Sequence, residues 1–352
     1  MATALRVALI GYGLAGRVFH APLISAVPDL VITSVITRAV ERRAAAEREV
    51  PGVHLLDDVD ALWARAGEHD LAVVATPNSL HARLALQALE AGLHVIVDKP
   101  FAAHADDARR VVDAAVRHER VLTVFHNRRW DGDFLTVAEI VSAESIGQVA
   151  RFESRFERWQ PAAQLASWRQ DAEPDAAGGL LYDLGSHLVD QAIRLFGRPS
   201  SVYAEMYNRR PGVTVDDDTF IALEHAGGVS SHLSVSAVAA LPAPRFRVLG
   251  TAGAYTKYGL DIQEDQLRAG MRPDATEFGV EPPERWGRLY TDGHERPHPT
   301  AKGRWADFYP MLVAAIRGAA PPPVDPTDAV EVLEVLEDAI ESARTGCVTP
   351  CR

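Results

Sequence analysis

The chain of 352 residues has only two cysteines, Cys347 and Cys351, both near its C-terminal end. Neither has His or Cys partners at zinc spacing, so no structural metal is expected and the pair reads as incidental thiols. No run of about 18 apolar residues is present, as a membrane span would require. A basic surplus is also missing. With 36 Lys and Arg against 48 Asp and Glu, the formal charge is -12, which argues against nucleic acid as a partner while leaving room for a local basic cluster. The N-terminus enters a strand pattern almost at once, without a charged leader and apolar signal core, so a cytoplasmic protein without membrane association is expected. What is present is an ordinary globular composition, 47% hydrophobic, on a chain longer than one core usually supports. Two domains are the default.

From residue 5 to about 125, short apolar runs (5–10, 30–36, 71–75, 93–97 and 121–125) alternate with helix-periodic segments such as Leu80, Leu84, Ala85, Ala88 and Leu89. That rhythm predicts an α/β fold opening with a doubly wound parallel sheet. The first strand runs straight into Gly11-Tyr12-Gly13-Leu14-Ala15-Gly16. A dinucleotide site needs these three glycines: one for the tight turn, one for backbone approach to a pyrophosphate, and one for close helix-strand packing. After about residue 126 the segments 148–158, 201–208, 219–224 and 229–237 alternate in polarity, predicting a large, mostly antiparallel sheet with one covered face. Helices are expected near 133–143, from Gly178-Gly179 to Phe196, and at 303–317 and 327–345, while 270–302 reads as a surface loop. The domains are accordingly placed at 1–125 and 126–352, with the C-terminal helices able to pack back on the first.

The second strand ends Ile36-Thr37-Arg38, with no carboxylate where an acidic residue would hold the ribose hydroxyls of NAD. Thr37 can donate a hydrogen bond and Arg38 can make charge-assisted bonds to a 2′-phosphate, so NADP is expected over NAD. Arg42 and Arg43 either reinforce that field or are solvated charges on a surface helix.

Val97-Asp98-Lys99-Pro100 sets a lysine at the carboxyl end of a parallel strand, where ligands of open α/β sheets bind. Tyr182-Asp183-Leu-Gly-Ser-His187-Leu-Val-Asp190 puts positions 183, 187 and 190 on one helical face. Histidine suits the proton transfer that accompanies hydride transfer at a carbinol; a carboxylate can orient it and an ammonium can polarise the oxygen. Taken alone, such an Asp-x-x-x-His pair is more often a surface or capping pair.

Together, Gly11-x-Gly13-x-x-Gly16, Thr76-Pro77-Asn78 with His81, Asp98-Lys99-Pro100, and Gly178-Gly179 followed by Asp183-x-x-x-His187-x-x-Asp190 resemble the glucose-fructose oxidoreductase and inositol dehydrogenase (Gfo/Idh/MocA) family over the whole chain. The stretch 126–134, with 13–20, is similar to the branch that contains NADP-dependent scyllo-inositol dehydrogenases. One departure is Asp98, where the family's motif carries Glu. The resemblance implies a Rossmann domain followed by an α/β domain whose open sheet commonly forms the interface of a homodimer or homotetramer, with substrate between the domains. It implies Lys99 as the motif lysine, Asp183 as the helix aspartate, His187 as the acid/base and a cis bond before Pro100. Cofactor contacts are then expected from 11–16, Thr37, Arg38, Thr76, Pro77, Asn78, His81, Asp98 and Lys99. Substrate contacts are expected from Lys99, Asn127, Arg128, Trp130, Tyr182, Asp183 and His187, against packing roles for Asn127, Arg128 and Trp130 and a core role for Tyr182. Trp168 and Arg169 are further candidates for the pocket wall.

The expected activity is therefore NADP(H)-dependent hydride transfer to or from a secondary alcohol of a cyclitol or sugar. Reduction of another keto-sugar or an anhydro-ketose, and a non-catalytic NADP-sensing regulator, are the alternatives. The regulator has no need of Lys99, Asp183 and His187 together.

Overall fold

The computed structural model describes residues 3–163, 168–170, 173–241 and 243–351. It divides into two compact units, one of residues 1–127, 263–278 and 304–330, the other of residues 128–262, 279–303 and 331–352.

The first unit is built on a six-stranded parallel sheet of β1 (Leu5–Ile10), β2 (Leu30–Ile36), β3 (His54–Leu56), β4 (Leu71–Val74), β5 (His94–Asp98) and β6 (Leu122–Phe125), in the order β3-β2-β1-β4-β5-β6. Its central strands are apolar without alternation: Val7, Ala8, Leu9, all of 71–74 and all of 95–97 have no exposed surface. A parallel sheet covered on both faces by its crossover helices imposes that pattern. The order reverses between β1 and β4, which makes the carboxyl ends of these two strands the switch point where ligands of such sheets bind. The short strand β3, polar at His54 and only three residues long, was not anticipated from the sequence.

The second unit carries a nine-stranded sheet of β7 (Val149–Glu157), β8 (Pro199–Tyr207), β9 (Asp218–His225), β10 (Ser230–Ser236), β11 (Phe246–Gly250), β12 (Gly253–Lys257), β13 (Gly287–Thr291), β14 (His294–His298) and β15 (Thr349–Pro350). The order is β14-β13-β12-β11-β7-β10-β9-β8-β15, and only β7 and β10 pair in parallel. Alternation sorts its faces. Val202, Ala204, Ile221, Leu223, Leu233 and Val235 are buried, whereas Tyr203, Glu205, Phe220, Ala222, His232 and Ser234 between them are partly exposed. The helix Ser186–Phe196 packs against β7 and β10 and beside the helix Gly132–Ser142.

One expectation is corrected here: 270–302 is not a loop throughout, since it holds β13 and β14. β13 alternates buried and exposed residues from Gly287 to Thr291, but the surrounding Gly and Pro masked so short a signal. β14 is polar, exposed and contains Pro297, which the edge position tolerates because an edge strand has backbone donors to spare.

Candidate active site

The turn after β1 shows what each glycine is for. Gly11 has φ +102°, and a Cβ on it would collide with the Ala75 carbonyl at the end of β4; a Cβ on Gly16 would collide with the Gly11 carbonyl. Both are packing glycines, fixed by close backbone approach. Gly13 differs. Its nearest neighbour is the Arg42 guanidinium, with Nη1 3.8 Å from where a Cβ would stand, so the backbone there is open to a ligand. Leu14 is 42% exposed and Ala15 begins the next helical turn.

Tyr12 is buried, and its hydroxyl donates to Glu49 Oε2 at 3.2 Å. Arg17 reaches the same carboxylate through Nε at 2.8 Å, and holds Glu49 below the usual carboxylate range. Tyr12 therefore ties the glycine turn to the helix Val40–Glu49. At the end of β2, Thr37 is buried and its carbonyl accepts from Arg43 Nη1 at 3.2 Å. Arg43 also pairs with Asp57 at 2.6 Å. Arg38 is exposed and donates through Nε to the Asp57 carbonyl at 3.2 Å. Of the three arginines, Arg42 has the guanidinium next to the open glycine. Its place in the first turn of the helix Val40–Glu49, just after Arg38, was the available signal.

The loops after β4 and β5 are joined by His81. Its ring is fully buried, with Nδ1 2.7 Å from the Pro100 carbonyl and Nε2 2.9 Å from the Thr76 carbonyl. Both ring nitrogens thus face backbone oxygens, so the side chain links the Thr76-Pro77-Asn78 loop to the Lys99-Pro100 loop. Asn78 is buried and Thr76 and Pro77 are partly exposed. The Lys99-Pro100 bond is cis, as the resemblance implies. Lys99 and Asp98 are partly exposed, and the Asp98 carboxylate accepts the Lys99 backbone N–H at 2.9 Å. Beneath them His20 is fully buried, with Nδ1 2.7 Å from the Tyr309 hydroxyl and its ring against Phe125. Burial pushes His20 down to about 4, with the Asp98 charge pulling the other way.

In the second unit the chain enters a π-helical turn, Leu181–Gly185, and continues as the helix Ser186–Phe196. Asp183 lies on the turn, with 22% of its side chain exposed, and pairs with Arg169 Nε at 3.4 Å. His187 is 4% exposed, and its ring packs 6.1 Å from Phe156. Asp190, predicted on the same face, is held by Arg129 through Nε at 3.0 and 3.1 Å and Nη2 at 2.6 Å. Its carboxylate serves as an anchor for the helix. Tyr182 is 8% exposed, and burial pushes its hydroxyl up to about 12. Arg169, a candidate for the pocket wall, is half-exposed beside Asp183; the Trp168 side chain lies outside the described residues.

Arg128 is 8% exposed, sits 5.3 Å over the Phe156 ring, and approaches Asp131 at 3.4 Å. Trp130 is partly exposed, and Asn127 is buried at the end of the first unit's opening segment. One residue absent from sequence reasoning is central. Arg245 is fully buried, with its guanidinium 4.1 Å from both the Phe156 and Phe246 rings. It bonds Ser154 Oγ, Gln191 Oε1 at 2.8 Å, and lies 3.7 Å from Asp133. Burial lowers it to about 10, leaving it a cation at neutral pH. Gln191 in turn donates to the Arg128 carbonyl at 2.9 Å. The His187 helix is thus held through Asp190 and Gln191 by residues 128, 129 and 245.

Comparison with known proteins identifies the family. The description "Oxidoreductase family, NAD-binding Rossmann fold" matches residues 5–126, and "GFO/IDH/MocA C-terminal domain" matches residues 134–256. The chain is 32% identical to scyllo-inositol 2-dehydrogenase (NADP(+)) IolW of Bacillus subtilis, over 97% of this chain and 94% of that protein. It is 38% identical to the oxidoreductase YdgJ of Escherichia coli, over 98% of each. Among solved structures, a putative oxidoreductase, yvaA, from Bacillus subtilis superimposes with a TM-score of 0.93 at 30% identity, covering 100% of this chain and 99% of that one. The chain belongs to the Gfo/Idh/MocA family and is an oxidoreductase with an NAD(P)-binding Rossmann domain.

Proposed function

We propose that this oxidoreductase is NADP(H)-dependent and acts on a secondary alcohol, or the matching ketone, of a cyclitol or sugar, in the manner of a scyllo-inositol dehydrogenase. The observation that carries the reading is His187 on a dry helical face, with Asp183 on the turn before it and the Asp183 carboxylate paired to Arg169. A histidine so placed can exchange a proton with a substrate hydroxyl near neutral pH.

The chain's residues fit a dinucleotide: the backbone at Gly13 is open, while Gly11 and Gly16 are packed from within. Amides of that turn and of the helical turn after it suit a pyrophosphate, and Thr76, Asn78 and Asp98 line the neighbouring strand ends. The nicotinamide, when bound, supplies the hydride chemistry. His187 takes the hydroxyl proton in oxidation and returns it in reduction. Asp183 holds the imidazole in orientation, and the Lys99 ammonium stabilises charge developing on the substrate oxygen. Arg128, Trp130, Asn127 and Tyr182 are assigned to the substrate's remaining hydroxyls. The preference for NADP is supported by exposed Arg38 and Arg42 and by the lack of a carboxylate at Thr37-Arg38. The name of the Bacillus relative agrees with it. A homodimer or homotetramer through the partly exposed face of the nine-stranded sheet belongs to the same reading. It is supported by the Phe220–His232 ring pair on that face, at 5.7 Å.

The test is a panel of inositols, aldoses and keto-sugars with NADP(H) and with NAD(H), read by absorbance of the reduced nicotinamide. Turnover of a cyclitol or sugar with NADP(H), lost roughly 100-fold or more in His187→Ala and Lys99→Ala while NADPH still quenches protein fluorescence, is expected. Undiminished turnover in either variant, or strong preference for NAD, overturns the corresponding part.

A further inference from the structure

We propose that Asp216 is a positioning residue for the acid/base helix: from a separate segment of the chain it caps the helical entrance and so fixes where Asp183 and His187 stand. The inference rests on the reading of His187 and Asp183 given above.

The first N–H groups of any helix lack partners within it. Here neither the π-helical turn nor the helix that follows has a capping side chain of its own. Asp216 supplies two acceptors instead. Its carbonyl accepts the Leu180 N–H at 3.0 Å, and its Oδ2 accepts the Leu181 N–H at 2.7 Å and the Thr219 hydroxyl at 2.8 Å. Asp183 and His187 follow Leu181 by two and six positions, on the turn and the helix that begin at this cap.

The cap accounts for two features that catalysis alone leaves unexplained. Gly178-Gly179 leads into the helix, and Gly179 has φ +88°; a Cβ there would collide with the Asp216 carboxylate. Glycine is needed both for the left-handed turn and for the approach of the cap. The members of the run Asp216-Asp217-Asp218 face different partners. Asp217 is fully buried and accepts the backbone N–H groups of Arg209 and Arg210 and the Arg210 Nε. Asp218 pairs with Arg209 at 3.1 Å. Asp217 thereby locks the approach to β9, and Asp216 is left turned toward the helix start. Burial pushes the Asp216 carboxyl up to about 6, against the pull of Thr219 and the Leu181 N–H. The site thus does not favour the charge, and what it uses is the acceptor oxygen. An asparagine should serve in its place.

The experiment compares Asp216→Ala with Asp216→Asn. Asp216→Ala should lower kcat roughly 10- to 100-fold, since small misplacement of a reacting group costs that much, with KM for the cofactor unchanged. Asp216→Asn should recover kcat to within a few-fold. Hydrogen exchange of the amides at 180–187 should be faster in Asp216→Ala and near normal in Asp216→Asn; that readout needs no substrate, so it stands whether or not the sugar reading does. If Asp216→Ala does not fold, Thr219→Val gives the second arm, with a smaller loss in kcat and partial loss of protection at Leu181. A variant Asp216→Ala with normal kcat, or Asp216→Asn as impaired as Asp216→Ala, overturns the proposal.

Discussion

The two sheets solve the same task by different means. Around the parallel sheet the ligand-side geometry is set by backbone packing: Gly11 against Ala75, Gly16 against Gly11, and His81 between two carbonyls. Around the mixed sheet it is set by buried charge: Arg129 on Asp190, Arg245 between two rings and beside Asp133, and Arg210 on Asp217. Local backbone constraints leave a mark in a few consecutive residues. The buried charge pairs leave no such mark, whether they span 61 positions, as Arg129 and Asp190 do, or seven, as Arg210 and Asp217 do.

The largest effect should come from breaking the first kind of constraint. Gly11→Ala puts a Cβ into the Ala75 carbonyl at a φ that L side chains rarely adopt. The turn must move, and NADPH binding, measured by fluorescence titration, should be abolished even where the second unit keeps its fold. Normal affinity would show that the turn is not the dinucleotide cradle.

Next is the buried cation of the second unit. Arg245→Ala removes the partner of Gln191 and Ser154 and leaves Asp133 buried beside a void. A loss of about 3–5 kcal/mol is expected, the usual scale for breaking a buried ion pair. Denaturant midpoints measure it. Adding Asp133→Asn to Arg245→Ala should recover part of the loss, because the two sites share one network. A strictly additive double variant would mean that Asp133 and Arg245 do not stabilise each other.

This contrast explains what was legible beforehand. Periodicity gave all the long strands of the parallel sheet, and glycine spacing gave the tight turn after β1, because both are short-range signals. In the second unit the spacing of positions 183, 187 and 190 is helical, and they lie on a π-helical turn and the helix that continues it, yet the partners of the two aspartates are not readable. Arg129 is 61 positions from Asp190, and Arg169 reaches Asp183 only after a turn at Gly179. Arg245 sits in a Pro- and Ala-rich stretch with no periodic signal, so nothing in the sequence marked it as buried. The strands β13 and β14 were hidden for a related reason: their polarity is that of an exposed edge.

Acid should separate the two regions by sign. His20 in the first unit is pushed from 6.5 to about 4, so its contribution to stability is complete above pH 6.5 and is lost as pH falls toward 4. Asp216 in the second unit is raised from 3.8 to about 6, so its contribution is complete below pH 3.8 and is lost as pH rises toward 6. At 1.36 kcal/mol per unit the upper bound is about 3.5 kcal/mol for His20 and about 3 kcal/mol for Asp216. Between pH 4 and 6, His20→Gln should therefore flatten the acid loss, while Asp216→Asn should steepen it by removing a term of opposite sign. Midpoints of thermal unfolding across this range measure both; slopes changing in the same direction would refute the assignment.

The smallest effect concerns which arginine, on the proposed NADP reading, meets the 2′-phosphate, and it tests the weight of exposed side-chain charge beside the backbone-packed turn. Arg38 is partly engaged by the Asp57 carbonyl and Arg43 by Asp57 and Thr37, whereas the Arg42 guanidinium stands next to the open Gly13. A charge-assisted bond to a 2′-phosphate contributes about 1.5–3 kcal/mol. Arg42→Ala should then weaken NADPH binding about 10-fold and leave NADH binding unchanged, with Arg38→Ala equal or smaller in effect and Arg43→Ala near neutral. Equal losses for NADPH and NADH would place Arg42 on the pyrophosphate, which both cofactors share. No loss in Arg42→Ala against a large one in Arg38→Ala would return the specificity to the end of β2, where the missing carboxylate first pointed.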